Sequence, residues 1–130
     1  IRGAIPFNGG AAPLAVKDEM SGRLIKENYM NLKTQCYYRS GDRVRNGHMK
    51  IHERVYNKMY DQTMTIRQRF MFERKAIKRD KADYDGKLRI VGKDEMKVKL
   101  NGDSPDLMDM LMMREIFELK PKMVFAYGND

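Results

Sequence analysis

Residues 104–119, SPDLMDMLMMREIFEL, have the strongest structural pattern in the chain. Ser104 suits the N-cap of a helix, and Pro105 suits the first helical position. Asp106 follows in the first turn, where a negative charge interacts favourably with the helix dipole. Apolar side chains then point in almost every direction, so we predict one helix that continues to Leu119 and is buried on most sides.

Asp106 and Asp109 lie three residues apart on this predicted helix and therefore share one face. Two carboxylates held close together in a partly desolvated place repel each other unless a proton or a cation intervenes. A divalent ion such as Mg²⁺ or Mn²⁺ prefers oxygen ligands of this kind, which makes the pair a candidate metal site. The alternative is structural: Asp106 only complements the helix dipole, and Asp109 only faces solvent.

A second candidate site is a basic surface on a helix that we predict over 59–81. Positive side chains on one face of that helix could follow a phosphate backbone. The alternative is a solvated helix face on which Glu73 and Asp80 form local ion pairs. The candidate nucleic-acid-binding residues are Arg67, Arg74, Lys75, Lys78 and Arg79.

Hydrophobic periodicity and turn residues predict the other elements. In chain order these are a strand over 4–7, a turn at Asn8-Gly9-Gly10 with positive φ angles, a helix over 26–44 stopped by Asn46-Gly47, a short strand over 48–55, a strand over 87–91 and a helix over 94–100. The order of strands and helices predicts a single α/β domain over 1–130.

The composition bounds the function. The chain has 130 residues, of which 42% are apolar and 34% are charged, and its formal net charge of +8 favours a polyanionic partner. Its apolar runs are far shorter than the ~18 residues that cross a bilayer, and its start has no signal-peptide pattern, so we expect a cytoplasmic protein. A single Cys36 excludes an internal disulfide and a structural zinc site built from cysteines.

Three further groups of side chains have a structural and a functional interpretation. His48 and His52 are four residues apart, a spacing that suits half of a metal site on a helix, but we predict a strand there. Tyr37 and Tyr38 could stack on bases, although packing against the sheet is the simpler interpretation. For Cys36 we predict a small buried side chain and not a nucleophile.

A family resemblance is carried by four segments: IPFNGG at 5–10, LKTQCYY at 32–38, GKLRIVGKDEM at 86–96 and SPDLMDMLMMR at 104–114. Together they resemble the C-terminal nuclease region of the large terminase subunits of tailed bacteriophages. The resemblance covers most of residues 4–120. It is most specific where Ser-Pro-Asp leads into an apolar, methionine-rich helix.

The resemblance implies a ribonuclease H-like fold, in which helices flank a mixed central sheet. It implies a metal-dependent endonuclease that cuts concatemeric double-stranded DNA in the cytoplasm of the bacterial host, while an upstream domain uses ATP to drive packaging. The last catalytic acid of that family follows Ser-Pro, which matches Asp106, with Asp109 as the neighbouring acid. Two Mg²⁺ or Mn²⁺ ions ~4 Å apart would then activate water and stabilise the leaving oxygen. The implied partners are double-stranded DNA, the portal and the small terminase subunit, and no membrane.

The sequence also departs from that family. Met108 and Met110 stand where relatives have small residues beside the second acid. The family's other catalytic acids would precede Ile1, and residues 1–17 contain no acid. We therefore expect a later part of the nuclease domain, incomplete at its N-terminal side, that cuts DNA poorly or not at all. The alternatives are a non-catalytic basic module that binds DNA or docks on a packaging protein, and a Holliday-junction resolvase of the same fold.

Overall fold

The computed structural model describes residues 3–81 and 86–120. Within these ranges the chain is mixed α/β, with a small two-stranded sheet and several helices. In chain order the elements are β1 (Val16–Lys17), β2 (Leu24–Ile25), α1 (Leu32–Arg45), α2 (Glu53–Tyr56), α3 (Ile66–Arg74), α4 (Lys93–Lys99), α5 (Asp106–Met113) and α6 (Glu115–Leu119).

The strands are short. β1 and β2 pair antiparallel, with Val16 opposite Ile25. The strand predicted over 87–91 takes part only in isolated bridges, one parallel between Tyr29 and Leu88 and one antiparallel between Arg79 and Ile90. The α/β class is therefore correct at the coarse level, and the sheet in the described residues is small.

Helix α1 is the centre of the fold, and its ends are set by local chemistry. The Asn31 side chain accepts a hydrogen bond from the Thr34 N–H at 2.9 Å, which caps the helix start. The Leu32 and Lys33 N–H groups donate to the carbonyls of Ala11 and Gly9. These contacts place the start at Leu32 and not at residue 26 as predicted. The predicted stop is confirmed at Asn46-Gly47, where Gly47 has a φ of +71°.

The opening segment is not the predicted strand. Residues 4–7 have no strand structure, and neither Gly9 nor Gly10 has a positive φ angle, so both predictions are wrong. The segment is instead fixed by side chains of α1. The Gln35 amide, which is fully buried, donates to the Leu14 carbonyl and accepts from the Leu14 N–H.

The predicted bounds of the helix over 59–81 are wrong at both ends, because the observed helix starts later and ends earlier. The Asp61 carboxylate accepts from the N–H groups of Thr63 and Met64, which holds a turn before the helix begins. Thr65 and Gln68 then form a capping box that starts α3, and the helix ends at Arg74. The strand predicted over 48–55 is also wrong, because residues 53–56 form the short helix α2.

The C-terminal helix is divided at Arg114 into α5 and α6. Ser104 does not cap α5: the cap position is Pro105, which makes no side-chain cap bond. The expectation of burial on most sides is wrong as well, because Met110 and Phe117 are about half exposed. By contrast, the helix predicted over 94–100 is confirmed within one residue as α4.

The core lies between α1 and the helices α4, α5 and α6. Its buried apolar residues are Leu32, Cys36, Tyr37, Ala76, Ile90, Val91, Met96, Leu100, Met112 and Ile116. Burial of these side chains is the main stabilising term of the fold. Among the described residues, no helix combines the length and the apolar character required to span a lipid bilayer.

Two buried carboxylates join the helices across the core. Glu73 on α3 is fully buried; it accepts from the Arg69 guanidinium at 2.6 Å and from the Met108 backbone N–H at 2.9 Å. Arg69 also donates to the Ser104 carbonyl at 3.0 Å. The buried Glu115 on α6 accepts two hydrogen bonds from Arg43, at 2.7 and 2.9 Å. Glu73 is thus a structural group and not part of the solvated face considered from the sequence.

Replacing Glu73 with alanine should destabilise the protein strongly. The change leaves the Arg69 guanidinium buried without its main partner and removes the acceptor of the Met108 N–H, so we expect a loss of about 3–5 kcal/mol in the free energy of unfolding. The control is Glu118→Ala, since Glu118 is an exposed acid that pairs with Arg114 at 3.7 Å. It should cost less than about 1 kcal/mol. Equal losses in urea unfolding of the two variants would contradict the structural role of Glu73.

Candidate functional site

Asp106 and Asp109 lie in the first turn of α5 and line one cavity of about 510 Å³. The spacing argument from the sequence is therefore confirmed in one respect: the two side chains share a face and a common space. The other residues that line this cavity are Phe7, Gly9, Lys33, Lys93, Met112 and Met113. We call this the acid cavity. Acidic, cationic and apolar side chains meet in it.

The two acids have different surroundings. Asp106 is exposed, whereas the Asp109 side chain is only 14% exposed. The Tyr37 hydroxyl donates a hydrogen bond to Asp109 Oδ1, and Lys93 Nζ lies 3.4 Å from Asp109 Oδ2. Asp109 is thus held in place from α1 and from α4. The alternative interpretation, in which the Asp109 side chain only faces solvent, does not fit these contacts.

Two side chains of α1 act on the acid cavity: Lys33 lines it, and Tyr37 contacts Asp109 without lining it. Burial raises the pKa of the Tyr37 phenol far above its ordinary value, and the neighbouring Asp109 carboxylate raises it further. The phenol therefore keeps its proton and acts as a donor to Asp109. Burial lowers the pKa of Lys33, and the Asp109 charge partly opposes this shift.

The donor set fits a divalent ion in part. Two carboxylates provide the oxygen ligands that Mg²⁺ and Mn²⁺ prefer. However, residues 3–81 and 86–120 contain no group of three or more histidine, cysteine or acidic side chains placed to hold a metal. Asp106 and Asp109 alone do not make up such a group, and their role as metal ligands stays a prediction.

The predicted basic surface is distributed over more than one element. All five side chains, Arg67, Arg74, Lys75, Lys78 and Arg79, are exposed. Only Arg67 and Arg74 lie on α3, where seven residues separate them and place them on one face. Arg67 also lies over the Tyr56 ring, 4.8 Å from its centre. The continuous helical stripe predicted from the sequence is wrong, although the exposure of its cations is correct.

Lys33 and Lys93 were not among the candidate residues predicted from the sequence, and Tyr37 was considered there for stacking on bases or packing against the sheet. Lys33 and Tyr37 are four residues apart on a helix that was predicted, so their common face was a usable signal. Lys93 had no local signal, because it is far from Asp109 in the sequence and only the tertiary fold brings the two side chains together.

The remaining candidates have structural roles. His52 Nδ1 accepts from the Arg54 N–H at 3.1 Å and caps α2. Tyr38 packs against the Tyr29 ring at 5.3 Å between centres. Cys36 is fully buried, and this burial, followed by the nearby Glu115 charge, raises the pKa of its thiol to about 11.

Comparison with known proteins gives no assignment for this chain. No family model, no curated protein and no solved structure matches it. The functional argument therefore depends on the acid cavity and the charged surfaces of the chain itself.

Cys36 should react slowly with a thiol reagent such as DTNB in the folded protein. The reactive form is the thiolate, and the raised pKa keeps the buried thiol protonated at about pH 8. We expect the rate to increase only as the pH approaches about 11, and to be fast at about pH 8 when the chain is unfolded in urea. Rapid modification of the folded protein at about pH 8 would contradict the burial of this residue.

Proposed function

We propose that this chain is part of a metal-dependent endonuclease that acts on double-stranded DNA, of the kind found in the large terminase subunits of tailed bacteriophages. The finer fold assignment, a ribonuclease H-like domain, belongs to the same proposal, as do a cytoplasmic location in a bacterial host and contacts with a portal and a small terminase subunit. The observation that carries the proposal is the acid cavity, in which two carboxylates and two lysines face one space.

In this proposal Asp106 and Asp109 hold a divalent cation on one side of the acid cavity. When bound, such an ion lowers the pKa of a water molecule and stabilises negative charge on the leaving oxygen of a phosphodiester. The other ligands come from outside the described residues, since these contain no third acid close enough. Asp109 is the more constrained of the two carboxylates because it already has two protein contacts.

The surrounding side chains position the substrate and the carboxylate. Tyr37 donates to one oxygen of Asp109 and thereby orients its carboxylate. Lys93 pairs with Asp109 at 3.4 Å. A bound cation would compete for that carboxylate, and Lys93 and Lys33 would then be placed to pair with phosphate oxygens of the DNA. Phe7 and Met112 add apolar surface to the lining of the cavity.

Exposed cations away from the cavity supply further phosphate contacts. Arg67, Lys75 and Lys78 are exposed and lie close together in the chain. Such contacts fix the position of the duplex without reading its sequence. The affinity for DNA should therefore fall with salt, with a slope of about −0.9 per phosphate neutralised.

A non-catalytic DNA-binding module is the second candidate, and one observation favours it. Lys93 already neutralises Asp109, and the described residues do not complete a metal site. In this alternative the acidic pair is a structural partner of Lys93, and the positive charge of the chain serves DNA binding alone. Metal binding distinguishes the two candidates.

Titration with Mn²⁺ should broaden the NMR signals of Asp106 and Asp109 before those of other acids, because the ion is paramagnetic and the two carboxylates lie in one cavity. Asp109→Asn should abolish this selective broadening. Asp42→Asn is the matched control, because Asp42 is an exposed acid paired with Arg45 on α1, and it should change nothing. Uniform weak broadening at all surface acids would favour the non-catalytic module.

Tyr37→Phe should weaken Mn²⁺ binding by about 10- to 100-fold, because the variant loses the hydrogen bond that orients Asp109 but keeps the buried ring. Tyr38→Phe is the control, since Tyr38 packs on Tyr29 and has no contact with the acid pair. A thermal melt of both variants separates positioning from loss of fold. Unchanged Mn²⁺ affinity in a folded Tyr37→Phe protein would remove Tyr37 from the site.

A further inference from the structure

A groove lies on the other side of α5 from the acid cavity. Two adjoining cavities, of about 260 and 210 Å³, share Tyr37, Gly41 and Ile77 as lining residues. We call their combined surface the Gly41 groove. Its apolar lining is formed by Val44, Met49, Ile77, Met108 and Leu111.

Gly41 is not explained by packing or by backbone conformation. It lies in the interior of α1, where glycine destabilises a helix relative to alanine. It has no positive φ angle, and a Cβ atom at this position would meet no atom within 4 Å. The helix could therefore accept a side chain here, and the absence of one keeps the centre of the groove open.

The charge around the Gly41 groove has one sign. Arg45, Arg74 and Arg79 line it, and no acidic residue is found among the described residues that do. Arg45 has an exposed ion pair with Asp42, which is weak and easily exchanged. Within residues 3–81 and 86–120, Arg74 and Arg79 take part in no ion pair.

We propose that the Gly41 groove binds an acidic, aliphatic segment of a partner protein. The arginines match carboxylates by charge and by the fork geometry of the guanidinium group. The apolar lining matches Leu, Ile or Val side chains. A DNA backbone fits this surface less well, because its sugars and phosphates would leave the apolar lining without apolar partners. A peptide with acidic and aliphatic side chains matches both the arginines and the apolar lining.

The location of the groove makes this interaction independent of the acid cavity. Met108 lines the groove and its neighbour Asp109 lines the acid cavity, so the two sites lie on different faces of α5. A partner in the groove would leave Asp106, Lys33 and Lys93 open. The interaction therefore concerns assembly with another protein and does not require the chain to be a nuclease.

The test uses fluorescence anisotropy with a short labelled peptide of leucine and glutamate. Two control peptides separate the contribution of charge to binding from that of apolar contact. One has lysine in place of glutamate, and the other has serine in place of leucine. We expect the leucine–glutamate peptide alone to bind. The double variant Arg74→Glu with Arg79→Glu should weaken its binding at least about tenfold, since like charges then face each other.

Two further variants complete the design. The double variant Lys75→Glu with Lys78→Glu is the matched control. It changes the net charge by the same amount, but these exposed lysines do not line the groove. The peptide affinity should stay within about twofold. Gly41→Leu should block binding while the melting temperature stays the same or rises.

Three results would overturn the proposal. The first is no binding of the leucine–glutamate peptide, or equal binding of all three peptides. The second is an unchanged peptide affinity in both the Gly41→Leu protein and the arginine reversal. The third is an Arg74→Glu, Arg79→Glu protein that loses affinity for a double-stranded DNA oligonucleotide but not for the peptide. That result would make the groove a DNA-binding surface.

Discussion

The buried carboxylate of Glu73 determines where α5 begins, and the rest of the functional surface depends on that position. Glu73 accepts the Met108 N–H, one of the first N–H groups of α5 that have no partner within the helix. Its partner Arg69 holds the Ser104 carbonyl just before the helix. Burying either charge without a partner would be costly, so both contacts are strongly favoured. Together they fix where α5 starts and how it is rotated about its axis.

With α5 fixed, its two faces serve different purposes. One face presents Asp106 and Asp109 to Lys33 and Lys93 in the acid cavity, and another presents Met108 and Leu111 to the Gly41 groove. Tyr37 connects them, because its buried ring lies beside the groove and its hydroxyl reaches Asp109. The fold thereby places the acid cavity and the Gly41 groove on different faces of one helix.

The sequence was informative where local chemistry decides the structure. The ends of α1 and α4 follow from Gly47, Asn101 and Gly102, which adopt positive φ angles just after these helices. The shared face of Asp106 and Asp109 follows from their spacing alone. The length of α3 was missed because the Asp61 turn competes with the hydrophobic periodicity. Lys93 was missed because its approach to Asp109 depends on the tertiary fold, which no local pattern reports.

The proposed function requires that Asp106 and Asp109 form one wall of a divalent cation site. The most direct measurement is X-ray diffraction from crystals of the protein soaked in Mn²⁺, with anomalous data collected near the manganese absorption edge. We predict an anomalous peak within coordination distance of carboxylate oxygens of Asp106 or Asp109, with Lys93 displaced from Asp109. A map in which Lys93 keeps its contact with Asp109 and the manganese lies only on other surface acids would contradict it.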